Sequence, residues 1–324
     1  MSSHVRIRPA DAPALAEAVG ILRRGRLVAF PTETVYGLGA NADDGQAVVR
    51  LFEAKGRPRI NPLIVHVIDD AAAERLGEFS AAARRLADKF WPGPLTLVLR
   101  RRSGATVSLL VSAGLDTIAL RVPAHPVSAQ LLAMAHVPIA APSANVSGRV
   151  SPTTAAHVAA ELGNRVDLVL DGGKATLGLE STVIGFEGDE AVLLRPGAIS
   201  RSEIEAVAGR LRKPQGEAIR SPGQLASHYA PRARLRLNAS DLRDGEALLA
   251  YGNGLAGSSG RSKTLNLSPA GDLREAASNL FAMLRELDAS GTETIAVMPI
   301  PDVDLGEAIN DRLSRAAAPR KLAS

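Results

Sequence analysis

The stretch from Phe30 to Pro62 constrains this chain more than any other. It starts as an apolar strand and enters a turn dense in hydroxyls and glycines, Phe30-Pro-Thr-Glu-Thr-Val-Tyr-Gly-Leu-Gly-Ala-Asn-Ala42. It ends in a proline-stiffened loop, Lys55-Gly-Arg-Pro-Arg-Ile-Asn-Pro62. Because side chains alternate along an extended loop, Lys55, Arg57 and Arg59 should point to one side and suit a triphosphate. A solvated basic loop is the plainer interpretation of such a run, but the neighbouring strand and turn favour a pocket.

Short segments rich in β-branched residues alternate with helical patterns over the first 200 residues. The pattern predicts strands at 27–30, 63–68, 95–99, 117–122, 139–141, 168–170, 182–186 and 191–194. Helices are expected at 14–24, 44–54, 80–90, 126–135 and 153–162. This mixture indicates an α/β domain that ends near Gly197.

A second domain is expected because 324 residues exceed the usual size of a single core. After one more helix from Arg201, residues 212–231 are broken by proline and glycine, which is typical of an ordered linker. Beyond the linker, strands at 247–251 and 294–299 and a helix at 272–288 predict a smaller α/β unit.

Composition and charge narrow the function classes. The aromatic share of 3% argues against base-stacking platforms, and a net charge of +4 is weak evidence for a nucleic-acid partner. The chain has no cysteine, which excludes disulfides and thiolate chemistry. Neither an apolar signal core nor a run of membrane-spanning length is present, so we expect a cytoplasmic enzyme that does not associate with a membrane.

Three positions outside the first stretch could carry chemistry. Ser143 and Asn145 follow an apolar strand, where open α/β sheets bind ligands, although serine and asparagine also form ordinary turns. His66 is a lone histidine in an apolar strand, so a hydrogen-bonding role fits it better than proton transfer.

Arg121 interrupts an apolar strand, and a buried guanidinium there needs a partner. A carboxylate ligand held bidentately would satisfy it. An internal salt bridge to Asp116 or Glu33 would satisfy it equally well, so both interpretations stay open.

Three further segments complete a recognisable set of motifs, namely Asp116-Thr-Ile-Ala-Leu-Arg-Val-Pro123, Ala140-Ala-Pro-Ser-Ala-Asn-Val-Ser-Gly148 and Glu180-Ser-Thr-Val-Ile184. With the first stretch, and in this order, they closely resemble the threonylcarbamoyl-AMP synthase family, the YrdC-like enzymes of tRNA modification. The resemblance covers roughly residues 10–200, and a weaker one continues to the C-terminus, as in the two-domain members.

The resemblance implies an α/β fold, with a YrdC-like twisted open mixed sheet, flanking helices and a smaller C-terminal Rossmann-like α/β domain. The expected boundaries are 10–200 for the catalytic domain, 201–234 for the linker and 235–324 for the small domain. In two-domain members a His-Tyr-x-Pro segment reaches back over the nucleotide site, so the linker segment with Tyr229 would act as a lid that closes over the active site.

The activity implied is synthesis of L-threonylcarbamoyladenylate from L-threonine, bicarbonate or CO₂ and ATP, with release of pyrophosphate. It is the first step of N6-threonylcarbamoyladenosine formation at position 37 of tRNAs that read ANN codons. Lys55 and Arg57 would stabilise charge, with no covalent nucleophile. The implied threonine site is Thr34, His66, Arg121 and Ser181. The implied ATP site is Lys55, Arg57, Asn61, Thr117, Ala141, Ser143, Asn145, Ser151, Arg195 and Tyr229.

Mg²⁺ is expected with ATP, although the sequence shows no clear set of metal ligands. The implied downstream partner is a threonylcarbamoyl transferase complex that acts on tRNA, and the basic charge is compatible with weak tRNA binding. The alternative is an RNA-binding protein that uses the basic cleft without adenylate synthesis. The amino-acid pocket of Thr34, Arg121 and Ser181 distinguishes the two, because it has no role in binding an RNA backbone.

Overall fold

The computed structural model describes residues 5–212, 228–255 and 263–319, which form a sheet of eleven strands and a second sheet of four. The predicted α/β class is thereby confirmed. Most of the predicted linker, residues 213–227, lies outside the described residues. The domain boundaries at 10–200, 201–234 and 235–324 stay a prediction.

The large sheet and its helices are built from the first two thirds of the chain. The strands are β1 (Ile7–Pro9), β2 (Val28–Phe30), β3 (Gly37–Asn41), β4 (Ile64–His66), β5 (Gly77–Glu78), β6 (Leu95–Arg101), β7 (Thr117–Arg121), β8 (Ile139–Ala140), β9 (Leu168–Asp171), β10 (Thr182–Glu187) and β11 (Glu190–Arg195). The helices are α1 (Ala12–Arg23), α2 (Gly45–Lys55), α3 (Asp70–Glu74), α4 (Ala81–Phe90), α5 (Pro126–Ala135), α6 (Ala155–Leu162) and α7 (Arg201–Ala208).

The large sheet is mixed, with strand order β1-β9-β2-β3-β8-β4-β7-β6-β10-β11 and β5 beside β6. β4 and β7 are parallel, so His66 lies opposite Arg121. β8 is antiparallel to β4, and the loop that leaves it passes Ile64, where the Ala141 amide donates to the Ile64 carbonyl at 2.9 Å. This pairing brings the ends of three strands to one place.

Helices cover both faces of the large sheet because alternate residues of its strands point to opposite sides. Val28 and Phe30 pack with Leu15 of α1 and Leu131 of α5. Ala29, between them, belongs to the core of the other face, which α2, α4 and α6 cover. Each fully buried leucine contributes about 2 kcal/mol to stability.

The second sheet contains β12 (Arg234–Arg236), β13 (Ala247–Ala250), β14 (Thr264–Asn266) and β15 (Thr294–Val297), in the order β12-β15-β13-β14 with all pairs parallel. Helices α8 (Leu273–Asp288) and α9 (Leu305–Ala317) accompany it. Asp272 caps α8 by accepting from the Arg274 and Glu275 amides. None of the helices within the described ranges is long and apolar enough to cross a membrane.

The two sheets share one apolar cluster. Val35, Val150 and Leu179 from the large unit are buried with Leu280 and Phe281 of α8. Gly178 (φ 69°) permits this approach, because a Cβ there would lie 2.6 Å from Ser278 Cα. The two units are therefore in close contact at this point of their boundary.

Several elements differ from the sequence-based prediction. β3 forms where glycines indicate a turn, because Gly39 packs under Phe30 so closely that a Cβ would lie 2.8 Å from its ring. α9 is missing from the prediction because Arg312 lies on its buried face with Ile309 and Leu313 and breaks the apolar periodicity. The remaining unpredicted elements each span five residues or fewer, namely β1, α3, β5, β12 and β14.

Leu284→Ala on α8 should lower the free energy of unfolding by about 2–5 kcal/mol, because Leu284 is fully buried and the change leaves a cavity. Urea denaturation measures the change. Glu286→Ala, on the exposed side of the same helix, should stay within about 0.5 kcal/mol of the unchanged protein. Equal effects of the two substitutions would contradict the burial of this face.

Candidate active site

A cavity of about 50 Å³ lies on the face of the large sheet to which Ile64 and His66 point. The predicted site residues that line it are Thr34, Arg57, His66, Arg121, Ala141, Ser143, Ser181, Arg195 and Tyr229. Its other lining residues are Thr32, Val35, Gly37, Ile64, Pro142, Glu180 and His228. The volume is far below the roughly 300–1,000 Å³ of ligand sites.

Arg121 is buried at the end of β7 and forms an internal salt bridge. Its Nη2 donates to Glu33 Oε1 at 2.6 Å, and its Nη1 donates to Thr34 Oγ1 at 2.9 Å. Asp116, the other acid considered, is exposed and is not a partner. Glu33 Oε2 is buried and has no hydrogen-bond partner among the residues that the structure describes. The guanidinium thus holds a carboxylate of the protein itself, and that carboxylate is only partly satisfied.

The predicted placement of Lys55, Arg57 and Arg59 on one side of an extended loop is wrong. Lys55 is the last residue of α2, and Arg59 is exposed, so only Arg57 lines the cavity. The Lys55 Nζ instead donates to the Ser143 and Asn145 carbonyls at 2.6 and 2.5 Å. The helix reaches one residue further than expected, and this turns Lys55 inward.

Lys55 and Arg57 are both buried and bond to carbonyl oxygens. Arg57 donates through Nε to Asn61 O at 3.1 Å and through Nη2 to Pro62 O at 2.8 Å. Burial lowers the pKa of Arg57 to about 9, so it is charged at neutral pH. Burial, followed by repulsion from Arg57, holds the pKa of Lys55 well below its usual value. Within the described part of the chain, neither side chain forms an ion pair with a carboxylate.

The loop after β8 is fixed by its own hydrogen bonds. Asn145 Nδ2 donates to the Val146 and Arg149 carbonyls at 2.8 and 2.9 Å. Together with the Lys55 ammonium, these bonds present Ser143 and the Ala141 backbone to the cavity.

Ser181 and Arg195 form the opposite wall. The Ser181 and Thr96 hydroxyl oxygens lie 2.7 Å apart, and Arg195 Nη2 donates to the Ser181 carbonyl at 2.8 Å. Ser151 does not line the cavity, since its hydroxyl donates to Glu180 Oε1 at 2.5 Å. Glu180 therefore lies between the cavity and a residue predicted to bind ATP.

Tyr229 is buried at the cavity, where the resemblance places the end of the lid. Its ring stacks on Phe281 at 5.7 Å and lies 4.1 Å from the His228 ring. The Tyr229 ring is one wall of the cavity and is itself almost fully buried.

Five predicted ATP residues do not line the cavity: Lys55, Asn61, Thr117, Asn145 and Ser151. Thr117 begins β7, paired with Arg100, at the opposite end of the strand from Arg121. Asn61 is fully buried in the loop that holds Arg57. Their roles stay a prediction.

His66 is buried and neutral. Burial, followed by the charge of Arg121, lowers its pKa to about 3. Its ring lines the cavity, and its Nδ1 has no hydrogen-bond partner in the described part of the chain. The hydrogen-bonding role expected of His66 stays a prediction, and this nitrogen is free to accept or donate such a bond in the cavity.

Buried polar atoms without a partner concentrate at this site. In the described ranges they belong to seven residues, and six of these are at or next to the cavity: Glu33, Asn61, His66, Asn145, His228 and Tyr229. Arg101 is the exception. Because buried polar groups are almost always satisfied, such a group indicates a polar ligand site.

Three of the seven lining residues that the sequence did not assign are polar, namely Thr32, Glu180 and His228. Each lies within two positions of an assigned residue in a quoted motif, and this is the signal that could have found it. No group of three acids or histidines that could hold a metal ion occurs in the described residues.

The fold and cavity define a class of α/β protein with a YrdC-type sheet and a cavity lined by the buried side chains of Arg57, Arg121 and Arg195. A family model for Sua5_yciO_yrdC, described as "Telomere recombination", matches residues 20–197. A model for the "Threonylcarbamoyl-AMP synthase, C-terminal domain" matches residues 199–318. The chain belongs to the threonylcarbamoyl-AMP synthase family, in its two-domain form, which confirms the resemblance.

Similar proteins match along nearly the whole chain. The threonylcarbamoyl-AMP synthase of Pyrococcus abyssi is 42% identical over 94% of either chain. That of Bacillus subtilis is 41% identical over 95% of this chain and 94% of its own. The crystal structure of P. abyssi Sua5 complexed with L-threonine has a TM-score of 0.87, with 38% identity and 97% coverage of both chains.

Acid should destabilise the protein through His66. Its pKa is lowered in the folded state, so its contribution is complete above pH 6.5 and is lost as the pH falls toward 3. Between pH 7 and 5 the free energy of unfolding of the unchanged protein should fall by about 2 kcal/mol more than that of His66→Gln, as measured by urea denaturation. His136→Gln, an exposed control, should show no such difference. Parallel pH profiles for the unchanged protein and His66→Gln would contradict the lowered pKa.

Proposed function

We propose that the cavity binds L-threonine and ATP and makes L-threonylcarbamoyladenylate from them and bicarbonate. The observation that carries this is the pair of buried basic side chains, Lys55 and Arg57, that bond to carbonyl oxygens and form no ion pair in the described part of the chain. Buried positive charge is costly unless an anion neutralises it. A nucleoside triphosphate in the cavity beside Arg57 would neutralise that side chain, and its negative charge would raise the pKa of Lys55, which does not line the cavity.

The threonine end of the site is Arg121 with Thr34, His66 and Ser181. Here the threonine carboxylate takes the place of the Glu33 carboxylate on the Arg121 guanidinium. The guanidinium is therefore paired with one negative charge both before and after the substrate binds. The threonine hydroxyl faces Ser181 and the threonine amine faces His66 Nδ1, which has no hydrogen-bond partner among the described residues. Both interpretations of Arg121 from the sequence then apply. Without substrate Arg121 forms a salt bridge with Glu33, and with substrate it binds the threonine carboxylate.

The nucleotide end is Arg57, Arg195, Ser143 and the backbone at Ala141. Lys55 acts on this end through the carbonyls of the loop that carries Ser143, and Asn61, Asn145, Ser151 and Thr117 complete the proposed ATP set. The cavity of about 50 Å³ cannot hold both substrates, so Tyr229 must move outward when they bind. Return of the ring would shield a hydrolytically fragile product from water.

The chemistry needs position and charge neutralisation rather than a nucleophile. Bicarbonate gives up hydroxide to become CO₂, and the threonine amine bonds to the CO₂ carbon. The amine proton combines with the hydroxide as water, which leaves a carbamate. A carbamate oxygen then attacks the α-phosphorus, and the bond to the pyrophosphate oxygen breaks. Arg57 and Arg195 offset the charge on the phosphates. This makes the protein a nucleotidyltransferase, and Mg²⁺ enters with ATP as part of the substrate.

The proposal extends to the product. Threonylcarbamoyladenylate would pass to a threonylcarbamoyl transferase complex that modifies tRNA, in the cytoplasm. The competing proposal, RNA binding without adenylate synthesis, leaves the Arg121 pocket without a purpose.

Pyrophosphate release from ATP should require both L-threonine and bicarbonate. Arg121→Ala should lower kcat/KM for threonine by roughly a hundred-fold or more, since the threonine carboxylate loses its partner, and leave ATP affinity within about three-fold. The same change is also made together with Glu33→Gln, which avoids a stranded carboxylate. ATP hydrolysis that ignores threonine would refute the synthase activity and direct the next assay to RNA.

Glu33→Gln should tighten L-threonine binding by on the order of ten-fold, the equivalent of about 1.4 kcal/mol. The reason is that a neutral amide competes weakly with the threonine carboxylate for Arg121. Titration calorimetry measures the affinity, and Asp116→Asn is the control because that acid does not contact Arg121. Weaker threonine binding in Glu33→Gln would show that Glu33 holds the substrate rather than competing with it.

A further inference from the structure

Arg312 of α9 crosses from the small unit to the wall of the cavity. It is fully buried. Its Nε donates to Glu180 Oε2 at 2.9 Å, its Nη2 donates to the Pro196 carbonyl at 3.0 Å, and its Nη1 pairs with Asp311 at 2.7 Å. These contacts use all three nitrogens of the guanidinium, so the side chain has one geometry.

Each partner of Arg312 in the large unit adjoins the proposed substrate site. Glu180 lines the cavity, and its other oxygen accepts from the Ser151 hydroxyl at 2.5 Å. Pro196 directly follows Arg195, which lines the same cavity. The guanidinium carbon also lies 5.0 Å from the centre of the Tyr229 ring.

Glu180 poses an electrostatic problem for a cavity that binds phosphates. A buried carboxylate on the wall would repel them unless a cation neutralises it. The ion pairs in the described ranges give Glu180 one such partner, Arg312, and it comes from the other unit.

We propose that Arg312 is a positioning residue for the nucleotide, through which the small unit neutralises Glu180 and holds the Glu180 side chain on Ser151. The inference rests on the proposed function for the identity of the anion. Its substrate class is a nucleoside triphosphate or its pyrophosphate portion. The small unit is thus part of the anion site and not an appended module.

The test compares binding of a non-hydrolysable ATP analogue and of pyrophosphate by calorimetry. Arg312→Met should weaken both by roughly ten- to a hundred-fold, because the unpaired Glu180 repels the phosphates. Glu180→Gln combined with Arg312→Met should recover most of the lost affinity, since it removes the repelling charge. Arg312→Lys keeps the charge and should fall between them.

Arg201→Ala is the matched control. Arg201 of α7 pairs with Glu307 of α9, so its loss removes another ion pair between the units that does not reach the cavity. It should leave both affinities within about two-fold. If Arg312→Met lowers the melting temperature but binds the analogue like Arg201→Ala, Arg312 is only structural and the inference fails.

The double variant keeps the test decisive if Arg312→Met does not fold, because it buries no unpaired charge. Affinity in the double variant as low as in Arg312→Lys or lower would also overturn the inference. Failure of the proposed function is distinguishable: the unchanged protein would bind the analogue but release no threonine-dependent pyrophosphate. A protein that binds neither anion would overturn both.

Discussion

Burial of the Lys55 side chain against two backbone carbonyls is the interaction on which the site depends. It joins the C-terminus of α2 to the loop after β8, two segments 88 residues apart in sequence. The bond fixes Ser143 and places a basic group close to Arg57, and within the described ranges no carboxylate forms an ion pair with either side chain. Such an arrangement lowers stability in the empty state and favours an anion, which is how binding sites commonly differ from the rest of a fold.

A chain of polar contacts extends this arrangement to the second sheet. Ser151, Glu180 and Arg312 link the loop region of the large unit to α9, and Arg285 of α8 bonds to the Val150 carbonyl and to Glu161. Each link is buried or partly buried, so water screens it little. The position of the small unit is therefore coupled to the geometry of the cavity wall.

The sequence predicted the fold better than the arrangement of the site. Strands such as β6 and β10 are β-branched or leucine-rich and their bounds are nearly right, because apolar runs must be buried. The loop at 55–62 was misjudged because helix α2 extends to Lys55, and one residue of helix reverses the direction of a side chain.

The sequence also could not predict which residues that are distant along the chain form pairs. From the sequence, Arg121 had three candidate partners: Asp116, Glu33 and a carboxylate ligand. The three-dimensional contacts select Glu33. The burial of Arg312 could not be predicted from the sequence. A charged residue in a helix is normally taken as exposed, and the partner that allows Arg312 to be buried, Glu180, lies in the other unit. The roles of Thr117, Asn61 and Ser151 rest on the resemblance, because the structure places none of them on the cavity wall.

The apolar cluster shared by the two sheets has a consequence for cooperativity. Val35 and Val150 belong to segments that carry the cavity, yet they complete a core whose other half is Leu280 and Phe281. If α8 moved away, these valines would be exposed to water. Thermal opening of the smaller sheet would therefore also destabilise the hydroxyl-rich turn that contains Val35. Within the described residues, the two sheets therefore cannot separate without also disturbing the site.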